Sequence, residues 1–145
     1  MKHVIFAVLV MLSSLGFSQE EEIDRKKEFE KVQEVPIFPG CESEQGKEKR
    51  TKCFNAEMTK LVFKYFRTRK ALNSNLPPGR VRMILSFKID KEGHLKDIKT
   101  EAPTKKLKKE LKRLASKVPE LKPGKIEGEP VIVGYSIPII FTVSN

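Results

Sequence analysis

The sequence predicts an α+β domain of two layers, a three-stranded antiparallel sheet of order 2-1-3 backed by helices. Three observations predict it. Arg80 to Asp90 alternates in character, with Val81, Met83, Leu85, Phe87 and Ile89 on one side. Pro130 to Val143 does the same, placing Val131, Val133, Tyr135, Ile137, Ile139, Phe141 and Val143 on one face. Two other segments, around Ala56–Lys70 and Lys105–Lys117, carry a single apolar stripe at helical spacing instead.

Residues 1–18 stand apart from this domain. Lys2 and His3 precede an unbroken apolar run from Val4 to Leu12, and Gly16 and Ser18 supply small residues at the −3 and −1 positions of a cleavage site. Val4 to Phe17 falls short of the roughly 20 residues that cross a bilayer. The expectation is a cleaved export signal and a periplasmic protein starting at Gln19, with an inner-membrane anchor at residues 4–17 as the lesser alternative. Residues 19–34 mix charges around Ile23, Phe29 and Val32 and read as a charged linker.

The domain is expected over residues 35–145. Pro36 and Pro39 keep Val35 to Gly40 extended, so that Val35, Ile37 and Phe38 pack onto a surface. Cys41 and Cys53 are an even pair in an exported chain, which predicts a disulfide. Closing a loop of about 13 residues is worth about 3 kcal/mol in the chain-entropy picture. The bridge would staple a polar loop, Glu42 to Lys52, and the absence of Cys-x-x-Cys argues against a redox motif.

The first helix is expected from Ala56, capped by Asn55, with Met58, Leu61, Val62, Tyr65 and Phe66 facing the core. Pro77-Pro78-Gly79 ends the loop that follows. After the first strand, Asp90-Lys91-Glu92-Gly93 forms a tight turn in which Gly93 takes positive φ. The second strand, about His94 to Thr100, loses alternation between Leu95 and Ile98, which predicts a bulge. Thr104 caps the second helix, where Leu107, Leu111, Leu114 and Val118 form the stripe. Pro119 to Pro130 reads as a loop.

Proline cannot donate to a ladder, so Pro138 confines the third strand to an edge of the sheet. A long apolar edge is a hazard unless another chain lies along it. Residues sharing the parity of Pro138, namely Ile132, Gly134, Ser136 and Ile140, would turn their main-chain groups outward. Val131, Ile132, Val133, Gly134, Tyr135 and Ser136 are therefore the candidate docking run for an extended peptide. A second copy using the same edge would give a homodimer.

Gly79-Arg80-Val81, Phe87-Lys88-Ile89-Asp90-x-x-Gly93, Leu95-x-Asp97-Ile98, Ala102-Pro103, Pro123-Gly124-Lys125, Gly128-x-Pro130-Val131 and Tyr135-x-Ile137-Pro138-Ile139-x-Phe141 together resemble the TonB C-terminal domain family, in its small exported form. Val35-Pro36-Ile37-Phe38-Pro39-Gly40-Cys41-Glu42 and the later Cys53 fit that subgroup. The resemblance spans about residues 35–143. It implies a helix-backed three-stranded sheet whose third strand docks a TonB-box-like segment of an outer-membrane receptor, in support of transport across that membrane. Residues 19–34 hold no proline and reach only about 55 Å when fully extended. The likeness is therefore to the docking module and not to a long spacer.

The formal net charge is +10, from 29 Lys and Arg against 19 Asp and Glu. Lys105, Lys106, Lys109, Lys112 and Arg113 give the second helix a basic face that suits an anionic envelope surface. An envelope- or polyanion-binding structural protein is accordingly the alternative to receptor docking. Nucleic acid is not an expected partner, because no aromatic residues interleave with that row. No catalytic, metal or cofactor site is expected: His94 is the one histidine after the leader, and no cluster has ligand spacing.

Overall fold

Residues 31–67 and 75–144 are described by the computed structural model. The leader and most of the charged linker lie outside the described residues, and the first helix ends at Tyr65, where Phe66 turns extended, short of the expected Lys70. Helix α1 runs Lys47–Tyr65, followed by strands β1 (Gly79–Ile89) and β2 (Leu95–Glu101), helix α2 (Lys105–Ala115), short strands β3 (Gly124–Ile126) and β4 (Glu129–Val131), and strand β5 (Val133–Val143). The main sheet is antiparallel with order β2-β1-β5, and β3 and β4 pair as a separate ribbon. The architecture is thus the expected α+β sheet of order 2-1-3, with an extra ribbon where a loop was expected.

Alternation in β1 decides which face is covered. Val81, Met83, Leu85, Phe87 and Ile89 are all buried and meet Phe54, Met58 and Leu61 of α1 and Leu107, Leu111 and Leu114 of α2 in one core. The β1–β2 hairpin turns at Asp90, whose Oδ1 accepts from the amides of Glu92 and His94 at 3.0 and 2.8 Å. These bonds, the His94 amide first, hold the Asp90 carboxyl below its ordinary pKa. Gly93 has φ +92°, and a Cβ there would lie 1.6 Å from the Leu121 carbonyl oxygen. The Leu121 amide donates to the Gly93 carbonyl, so the later loop is tied to this turn. The bulge falls where alternation failed: the register slips between Ser86 and Lys88, and Asp97 sits at φ +50°.

Helix α1 differs from expectation. It starts after Gly46, nine positions ahead of Ala56, so Cys53 is helical and Asn55 is a mid-helix residue instead of a cap. Lys47 to Lys52 offers no apolar stripe, which hid this stretch. Local bonds support it: Arg50 Nε donates to the Glu44 carbonyl, and the Thr51 hydroxyl to the Lys47 carbonyl. Cys41 and Cys53 form a disulfide with Cα atoms 5.9 Å apart, and Cys41 is fully buried.

The docked segment begins before Val35. Val32 is buried, and the arm from Gln33 to Ile37 pairs with Lys122 to Lys125 through Glu34↔Lys125 and Ile37↔Lys122. Phe38 packs edge-on to Phe54 at 6.0 Å. Among the described residues, no helix is long and apolar enough to cross a membrane.

Candidate docking edge

β5 is an outer strand of the sheet, and its main-chain polarity follows from the hairpin. The Asp90 amide donates to the His94 carbonyl at 2.9 Å, toward β2. The N–H and C=O of one strand residue point the same way, and the direction alternates along the chain. Lys88, Ser86 and Ile84 therefore address β2, while Ile89, Phe87, Leu85 and Met83 address β5. Their partners are Val133, Tyr135, Ile137 and Ile139. The residues that alternate with those partners, Gly134, Ser136, Pro138, Ile140 and Thr142, turn their main-chain groups to the outer side. Pro138 removes no donor from the β1 ladder, which is why it survives in the strand.

The run Val131 to Ser136 is not one uniform stretch. Val131 belongs to β4 and faces Gly124. Ile132 lies between the two strands and is 51% exposed. Val133 is fully buried, and Gly134 is buried as well. A Cβ on Gly124 would come within 2.7 Å of Val133 Cγ2 and 3.3 Å of Pro36 Cδ, so ribbon and arm close tightly on the start of β5. The Tyr135 ring packs on Phe54 at 4.7 Å and Phe87 at 5.9 Å, and its hydroxyl donates to Asn55 Oδ1. Burial pushes its phenol up to about 12. Ser136 is exposed, and its hydroxyl bonds that of Ser86 at 2.9 Å.

Beyond Ser136 the strand borders an apolar groove of about 270 Å³. Val62, Phe63 and Phe66 line it from the end of α1, and Ile137 to Phe141 from β5. Phe63 is 83% exposed and Ile140 is 47% exposed, large apolar side chains that the core leaves outside. Phe66 and Phe141 close its floor with rings 5.9 Å apart. The sequence concealed this groove because Phe63 lies off the stripe that marks α1.

The basic face is simpler than the residue pattern suggests. Lys105, Lys106, Lys109 and Lys112 are exposed, but Arg113 turns inward. Its guanidinium donates to Glu110 at 2.5 and 3.0 Å and to the Tyr65 carbonyl. Glu110 is buried and also accepts from the Arg67 amide. The Arg113 bond holds its carboxyl below the ordinary range against the opposite pull of burial. This pair clips the end of α1 to α2. No spacing could have revealed it, since its partners lie 43 and 48 positions away. Among the described residues no three His, Cys, Asp or Glu side chains are grouped to hold a metal. The chain matches no protein-family model and no curated protein.

Proposed function

We propose that the protein is a periplasmic docking module that receives an extended, TonB-box-like segment of an outer-membrane receptor by strand addition along β5, in support of transport. The observation that carries this reading is the outward main chain of an exposed edge strand beside an apolar groove. The resemblance of residues 35–143 to the TonB C-terminal domain family supports the same reading. Pro138 contributes an outward carbonyl, and Ile140 and Thr142 contribute both groups. Each bond formed with a visiting strand is worth about 0.5–1.5 kcal/mol net. Ordering the visitor offsets much of that sum, so the association is weak and reversible. Alternate side chains of the visitor would point toward the helix layer, where Phe63 and Phe66 stand. The docking run moves from Val131–Ser136 toward the C-terminal half of β5, since Val133 and Gly134 are buried.

Titrating labelled protein with a synthetic receptor segment tests this. The Ile140 and Thr142 amides and the Phe63 ring are expected to shift together, and Ile140→Pro, which deletes one outward N–H, is expected to weaken binding by about two- to tenfold. Shifts confined to α2, with the edge silent, would overturn the reading. Light scattering separates a visiting peptide from a second copy of the chain on the same edge.

A further inference from the structure

Helix α2 leaves an exterior of a single charge. Lys105, Lys106, Lys108, Lys109, Lys112 and Lys117 are exposed on it and beyond its end. Among the described residues none of these six takes part in an ion pair. The only acidic residue of α2, Glu110, is buried against Arg113, so nothing on the helix surface neutralises the row. The arrangement opposes the start of the helix it sits on. Lysines crowd the first turn, where the dipole is positive and no acidic residue is present. Lys105 and Lys109, and Lys108 and Lys112, are like charges one turn apart.

We infer that this lysine face is a docking site for an anionic phospholipid surface. The apolar stripe of α2 is spent in the core, with Leu107, Leu111 and Leu114 at most 1% exposed, so the contact is electrostatic and peripheral, without insertion. Lysines without an outward arginine fork suit a diffuse array of charges better than a single phosphate held in fixed geometry. A convex helix face has no walls to hold a linear polymer, whereas a planar sheet of headgroups meets it along its length. α2 packs over β2 and β1, whereas β5 is the strand at the other margin. A bilayer on one margin thus leaves the docking edge accessible, and the inference does not depend on the peptide reading.

The test is co-sedimentation of the full chain with phosphatidylcholine vesicles that contain or lack phosphatidylglycerol. Binding is expected only to the anionic vesicles and is expected to vanish near 1 M salt, where the screening length falls to about 3 Å. Lys105→Glu/Lys109→Glu/Lys112→Glu should weaken it by at least about tenfold. Lys49→Glu/Lys52→Glu/Lys91→Glu, which changes the net charge equally at other exposed positions, should leave it within about threefold. The α2 variant should melt within a few degrees of the parent, because glutamate at Lys105 suits the dipole of the first turn while glutamate at Lys112 opposes that of the last. Equal weakening by both variants would reduce the effect to bulk charge and overturn the assignment. So would binding to dextran sulfate through this face without binding to vesicles.

Discussion

Tyr135 shows how one side chain joins packing to a polar contact. Its ring fills the space between Phe54 and Phe87 while its hydroxyl reaches Asn55. Removing that hydroxyl in Tyr135→Phe is expected to cost about 1 kcal/mol at neutral pH, measured by urea unfolding. The pH dependence has a definite sign. The folded phenol titrates at about 12 against an ordinary 10.0, so its contribution is complete below pH 10 and fades as pH rises from there through 12. Tyr135→Phe should lack that alkaline loss; a variant curve parallel to the parent between those values would refute the assignment. Asn55 is instructive in the same way. Its position ahead of an apolar stripe gives it the character of a cap, yet its true partner lies 80 positions away.

At the scale of elements, the parts legible in the sequence were those whose signal is local. Alternation marked β1, a failure of alternation marked the bulge in β2, and Thr104 marked the start of α2, where its hydroxyl accepts from the Leu107 amide. Pro138 implied the edge position of β5. The polar first half of α1 carries no stripe, and three-residue strands are too short for any period, so β3 and β4 read as loop. A signal for that ribbon did exist: Glu127 and Gly128, both at positive φ, form a two-residue turn of hairpin type. The groove and the Glu110–Arg113 clip were unreadable because each is assembled from segments distant in the chain. The β1–β2 turn yields a prediction at this scale. Gly93→Ala meets both a left-handed backbone and the Leu121 carbonyl, and should cost at least about 2 kcal/mol in chemical unfolding. A loss under 0.5 kcal/mol, within the ~0.5 kcal/mol expected of an ordinary surface site, would mean the Leu121 loop yields freely.

The whole molecule is a two-layer core to which the N-terminal arm is added by one covalent bond and a short ladder. Cys41–Cys53 ties the turn after Phe38 to α1, and the arm in turn pairs with Lys122 to Lys125. Cys41→Ser/Cys53→Ser should therefore lower global stability by about 2–4 kcal/mol. It should also raise hydrogen exchange at the Glu34 and Ile37 amides beyond the global change, while the centre of β1 follows the global change alone. Uniform exchange throughout would show that the arm does not depend on the bridge.

β5 meets β1 through eleven consecutive pairs, from Gly79↔Val143 to Ile89↔Val133, with no slip in register. Bonds of an antiparallel ladder lie across the strands, so tension applied along β5 loads them side by side and none can part before its neighbours. The same strand peeled outward from its end would surrender them in sequence. Resistance to traction is thus directional: firm against a tug along the strand, yielding to one across it.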